Sequence, residues 1–77
     1  MQKKESLQEQ FLLHCRRERV PVTVFMVNGF QMRGVILDHD SFVLLLDVDG
    51  KQEMVYKHAV STIMPIRTIS LTEEQPA

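Results

Sequence analysis

Seventy-seven residues make one domain, near the size at which a single core supplies only about 3 to 5 kcal/mol, so help from self-association is expected. With 44% hydrophobic and 25% charged residues the chain is of the soluble globular type; no apolar run approaches the roughly 20 residues of a membrane span, and Met1-Gln2-Lys3-Lys4-Glu5 is not expected to serve as a signal peptide. A net charge of −1 excludes capture of nucleic acid by overall basicity, and because the chain carries +3 up to Val35 and −4 from Ile36 onward, a polyanion would have to be held at local basic sites.

Ser6, followed three residues later by Glu9, forms a capping box that predicts a helix over about residues 7–18. Leu7, Phe11 and Cys15, with Leu12 at the edge, make one apolar stripe at helical spacing. Gln8 falls within that arc, at the junction between the helix and whatever it packs on, and taken alone reads as a surface amide. Cys15 is the single cysteine; it has no internal disulfide partner, fits a reducing cytoplasm and is expected to pack. Arg16, Arg17 and Arg19 are assigned to the last turn, where cations complement the helix dipole; clustered around Glu18 just before Pro21, they also suit a phosphate chain.

After Pro21 the period becomes two, with Val22, Val24 and Met26 on one face and Thr23, Phe25 and Val27 on the other. Asn28-Gly29 predicts a hairpin turn, since both residues tolerate positive φ. The return strand, Phe30 to His39, holds Gly34 in its middle, where glycine marks a sharp bend or a close backbone approach. Asp40-Ser41 gives the next turn, and Phe42 to Leu46 is apolar on both faces, as at the centre of a small barrel. Asp49-Gly50 turns into a strand from Gln52 to His58. Ala59-Val60-Ser61 reads as a short connection, Thr62-Ile63-Met64 as a last strand that Pro65 confines to an edge, and residues 68–77 as a short mobile tail with little to bury.

Alternation puts Val55 and Lys57 on one side of the fourth strand and Met54, Tyr56 and His58 on the other. A strand ending here leaves an ammonium and an imidazole at its rim, either as a solvated end or as donors to a phosphate or a base. The expected fold is therefore mainly β with an N-terminal α-helix. It is a strongly bent, five-stranded antiparallel barrel of the Sm or SH3-like type over residues 1–67, its strands spanning about residues 21–66. Such an open sheet exposes two edges, and pairing the fourth strand of one subunit with the fifth of the next can close a ring. Catalysis is not expected: His14, His39 and His58 are dispersed, no pair has zinc-ligand spacing, and neither a phosphate loop nor a nucleophile motif is present. No cofactor or metal is anticipated.

Tyr56-Lys57-His58-Ala59, with Gln8, Arg16-Arg17-Glu18-Arg19-Val20-Pro21-Val22, Val27-Asn28-Gly29-Phe30 and Phe42 followed by Val43-Leu44-Leu45-Leu46, resembles the bacterial Sm-like RNA chaperone family Hfq, in one order along nearly the whole chain. The resemblance implies a cytoplasmic, six-membered ring of identical subunits that binds single-stranded RNA and promotes pairing of small RNAs with messages. On the helix side it implies that Gln8, Ser41, Phe42, Tyr56, Lys57 and His58 hold uridine-rich RNA, with Phe42 stacking on the base, Lys57 and Gln8 at the uracil edge and His58 near a central pore. On the opposite face it implies that Phe25, Met26, Gly29, Phe30, Gln31 and Met32, with Ser61 and Thr62 nearby, sandwich purines of A-rich RNA. Arg16, Arg17, Arg19 and His39 would form an RNA-contacting rim. Ser41 and Glu53 stand where many relatives carry glutamine, Leu13 replaces a polar rim residue, and His39 replaces an aromatic one. A protein-protein scaffold using the hairpin aromatics as a peptide groove is the rival reading, and a nuclease-like RNA processing subunit a weaker one.

Overall fold

The computed structural model describes residues 6–71; Met1 to Glu5 and the end of the expected tail, residues 72–77, lie outside the described residues. The Ser6 hydroxyl accepts the Glu9 N–H at 3.0 Å and starts helix α1, Leu7–Arg17. The helix closes in a Schellman motif: the Val20 N–H reaches the Cys15 carbonyl at 3.0 Å and the Arg19 N–H that of Arg16 at 3.2 Å. Arg19 takes the left-handed position of this motif, at φ 52, where glycine is the usual occupant. It therefore lies past the last helical turn, whereas Arg16 and Arg17 do fall within it. Cys15 and Val20 are both buried beneath the closure, and burial, then Glu18, pushes the Cys15 thiol up, so that it packs as a small protonated hydrophobe.

Five antiparallel strands follow, β1 Val22–Met26, β2 Gln31–His39, β3 Val43–Val48, β4 Lys51–Tyr56 and β5 Val60–Pro65, in the spatial order β4-β3-β2-β1-β5. The two edges are β4 and β5, as the chain order suggests. The long strand β2 is shared: Gln31 to Gly34 pair with β1, and Val35 to His39 pair with β3. The handover falls at Gly34, where a Cβ would collide with the main-chain carbonyl of Asp47. Here the bend and the close approach expected of a mid-strand glycine coincide, and one sheet curls over its own core.

That core comprises Leu12, Cys15, Val20, Val22, Val24, Ile36, Leu44, Leu46 and Val55, joined by Ile69 at 8% exposure. Packing on the core thus continues past residue 67, into the stretch expected as tail. After β5 the Ile66 N–H bonds the Pro21 carbonyl at 2.9 Å and Arg67 meets Glu18 at 3.3 Å, which leads the chain back toward the α1–β1 junction and lets Ile69 and Leu71 dock.

Turn chemistry differs between the hairpins. Asp49 and Gly50 both take positive φ, 54 and 83, the pattern of a two-residue type I′ turn. In the first hairpin only Gly29 does, at φ 94; Asn28 instead accepts the Phe30 N–H through Oδ1 at 2.9 Å. Two further expectations are corrected. Lys57–Ala59 forms a single 3₁₀ turn rather than the end of a strand, and Val60 with Ser61 opens β5 rather than connecting to it. The reason is tertiary: Val60 pairs with Met26, and the Ala59 carbonyl accepts the Val27 N–H at 2.8 Å.

Candidate functional site

The 3₁₀ turn after β4 brings together three segments distant in sequence. The Lys57 ammonium donates to Gln8 Oε1 at 2.8 Å, and its backbone N–H donates to the Phe42 carbonyl, also at 2.8 Å. Because lysine can only donate, the Gln8 atom it meets must be the oxygen, which leaves the amide NH₂ for other acceptors. Asp40 Oδ1 accepts the N–H groups of Phe42 at 2.8 Å and Val43 at 2.9 Å, and these two bonds hold its carboxyl below the ordinary value of 3.8. Phe42 is thus tied on both sides of its backbone while its side chain stays 75% exposed. A fixed backbone beneath a free ring is a ready stacking platform.

Gln8 and Lys57 line a cavity of about 260 Å³ together with Phe11, Leu12, Leu44 and residues 60–63 of β5; Phe42 is not among its lining residues and joins this site through the Lys57 backbone. The Tyr56 and His58 rings, on either side of Lys57 in sequence, stack at 5.6 Å with 15° between their planes. Ser41 borders a different crevice, with Glu9, Leu13 and His39. Of the residues implied for the uridine pocket, Gln8, Phe42 and Lys57 are therefore joined directly, Tyr56 and His58 form an adjoining pair, and Ser41 sits toward the rim.

On the sheet, Phe25 pairs with Gln31 on one side and Thr62 on the other, so these three share one face. Val24, with partners Met32 and Ile63, is fully buried, so the Phe25 row faces away from the core. Phe30, 59% exposed, and Gly29 stand at the hairpin tip. Met26 and Met32 differ, because both are partly buried against the core. Ser61 and Thr62 border this face and also line the cavity beside Gln8 and Lys57. The next row, Met64, Thr23 and Arg33, includes a cation that reading the first hairpin in isolation missed; strand alternation from Gln31 would have found it.

At the rim, Arg16 Nη1 meets Asp38 Oδ1 at 2.8 Å, and the same oxygen accepts the His39 backbone N–H at 2.8 Å. Arg17 and Arg19 are exposed and make no ion pair among the described residues. His39 Nε2 is buried without a hydrogen-bond partner. Burial, then the charges of Arg16 and Lys57, pull its pKa below the ordinary 6.5, against the opposing carboxylates of Asp38 and Glu9.

The unfolded chain therefore takes up this proton more readily than the folded one. The stability contributed by neutral His39 is complete above about pH 6.5 and is lost as pH falls from there toward the depressed folded value. His39→Phe is expected to flatten that part of the curve, as thermal melts between about pH 5 and 7.5 would show. A variant with wild-type acid sensitivity would place the titrating group elsewhere.

Among the described residues no group of three His, Cys, Asp or Glu side chains could hold a metal ion, and no helix is long and apolar enough to cross a membrane.

Comparison with known proteins completes the picture. The family model described as Hfq protein matches residues 7–70. The RNA-binding protein Hfq of Moorella thermoacetica is 53% identical over 72 residues, covering 94% of this chain and 86% of the relative. That of Halalkalibacterium halodurans is 45% identical over 78 residues, covering both chains completely. A solved structure described as the pleiotropic translational regulator Hfq superposes with a TM-score of 0.75 at 44% identity, covering 77% of this chain and 98% of that one. A bent barrel of this strand order, matched by the family model from Leu7 to Ser70, settles the lineage: the chain belongs to the Hfq family.

Proposed function

We propose that this protein is a ring-forming RNA chaperone that holds uridine-rich ends of small RNAs on its helix side and A-rich message segments on the opposite face, and promotes their pairing without covalent chemistry. The observation that carries the reading is the Lys57–Gln8 bond at 2.8 Å, an ammonium and an amide lining one cavity, with the backbone of Lys57 tied to that of the exposed Phe42. The names of the relatives, RNA-binding protein Hfq, support it. Six subunits per ring is the number proposed. Both sheet edges are open, and large exposed apolar residues accompany them, Met54 and Tyr56 on β4 and Met64 and Ile66 at β5, which favours edge-to-edge closure. The rim arginines would lower the mutual repulsion of two RNA strands as they meet.

Salt-titrated binding to oligo-U and oligo-A tests the reading. Both affinities are expected to fall as salt rises, as phosphate contacts require. Phe30→Ala is expected to weaken oligo-A by about fivefold or more, since a base stacked on an aromatic is worth about 1 to 3 kcal/mol, and to leave oligo-U unchanged. Equal effects on both RNAs would undo the division into faces, and binding of neither at low salt would undo the function.

A further inference from the structure

We infer that His39 is a pH-operated switch of the rim, its ring folded into the wall between two crevices near neutral pH and turned out in mild acid to offer RNA phosphate a further cation. The inference rests on the RNA-chaperone reading above. His39 closes β2, pairs with Leu44 and has its backbone N–H fixed on Asp38 Oδ1 at 2.8 Å, so the ring moves about its own side-chain bonds while its backbone stays in place. Its Nε2 is buried without a hydrogen-bond partner. The ring borders two crevices. One, of about 200 Å³, is apolar through Val43, Leu45 and Met54. The other, of about 330 Å³, is polar through Glu9 and Ser41, and the two share Asp40.

A proton on Nε2 in its buried place would be a donor without an acceptor. The charged groups around the ring are Arg16 and Glu9 on α1, Lys57 in the 3₁₀ turn, Asp38 beside it on β2 and Asp40 in the turn that follows. Burial opposes a charge there, and Arg16 and Lys57 oppose it further. Proton uptake therefore goes with movement of the ring to water, and the polar crevice gives it room. The Ser41 hydroxyl can accept one N–H of the imidazolium, which leaves the other for a phosphodiester oxygen. Arg16 marks the rim and Lys57 the uridine site, and both are near enough to repel this charge. The new cation would thus stand where a strand passes from one to the other.

The test compares wild type with His39→Phe and His39→Gln, neither of which titrates here, on a labelled RNA of mixed sequence that ends in six uridines. The gain in affinity from about pH 7.5 to about pH 5.5 is expected to be about two- to fivefold larger for wild type than for either variant, the range of one exposed charge pair, and the wild-type salt dependence to steepen in acid by about one phosphate contact. His14 and His58 are present in all three proteins, so their titration cancels from the comparison. Equal gains in all three would overturn the inference. A wild-type excess of the same size on six uridines alone would place the cation in the uridine site rather than at the rim and would overturn it too. Without RNA, the wild-type His39 ring is expected to titrate below about pH 6.5 by nuclear magnetic resonance, with its contacts to Leu13 and Ser41 growing as it does. Titration with unchanged contacts would rule out the movement and with it the inference. If wild type binds both RNAs and only the pH comparison fails, this inference alone falls; if it binds neither at low salt, the chaperone reading fails and takes the inference with it.

Discussion

Gly34→Ala is expected to cost about 3 kcal/mol or more, comparable to all the stability a single core of this size supplies, and to leave the subunit largely unfolded. The added methyl would land on the Asp47 carbonyl oxygen, with the Asp47 carbonyl carbon at 3.0 Å and Val48 Cγ2 at 3.1 Å. Two of those atoms are main chain, so no rotamer change makes room. The strands must part where β2 passes from β1 to β3, and the pair Val35–Asp47 is the first to go. The other two glycines offer the contrast. Nothing lies within 4 Å of a Cβ built on Gly29 or Gly50, and only their positive φ, 94 and 83, opposes a side chain. Alanine at either is expected to cost about 1 to 2 kcal/mol. Denaturant unfolding at one fixed protein concentration, because the proposed assembly would stabilise by mass action, should therefore rank Gly34→Ala far below the other two. A Gly34→Ala variant that melts with them would mean that β2 and β3 are not in such contact.

Gly34 also shows how far the sequence can be read. Glycine inside a strand pattern announces a bend, and the bend is there; its collision partner, thirteen residues on, is invisible until the strands are paired. The same division runs through the chain. The Ser6 hydroxyl caps the helix on the Glu9 N–H as expected, because a cap is a local matter. The Asp49-Gly50 turn is equally local. Lys57 and His58 read as a strand end because an alternating pattern cannot distinguish its last residues from a tight turn, and only the Val60–Met26 pairing decides where β5 begins. Arg19 reads as part of a helical turn because nothing in its neighbourhood is glycine, the usual mark of a left-handed closure. Ile69 reads as tail because its burial depends on a chain reversal after Pro65, held by Pro21 and Glu18 far back in sequence. The candidate site follows the same rule: its residue types are legible, whereas the joining of Gln8 to Lys57 and the pairing of Arg16 with Asp38 are contacts across 49 and 22 residues.

Lys57→Ala is expected to weaken binding of oligo-U by about 10- to 150-fold, the range that corresponds to one lost hydrogen bond from a charged donor at about 1.5 to 3 kcal/mol. Two contributions add in the same direction. The ammonium itself would meet the uracil edge, and it also fixes Gln8, whose oxygen it holds at 2.8 Å, so that the amide is aimed before the base arrives. Gln8→Ala removes only the second partner and should cost less. Lys57→Arg is not expected to restore affinity, since a planar fork cannot reproduce a point donor in a cavity of about 260 Å³. Stability should barely move, because the bond that fixes the turn runs from the Lys57 backbone N–H to the Phe42 carbonyl and alanine keeps it. Thermal melts near wild type therefore separate a binding defect from a folding one. Oligo-A, which the proposed function assigns to the other face, should bind Lys57→Ala as it binds wild type. In the proposed ring one RNA would span several pockets, so the loss would multiply with each pocket engaged and longer uridine tracts should show it more strongly than short ones. Undiminished binding of a six-uridine strand by a folded Lys57→Ala protein would remove the ammonium from the site, and with it the reading of the cavity as a base pocket.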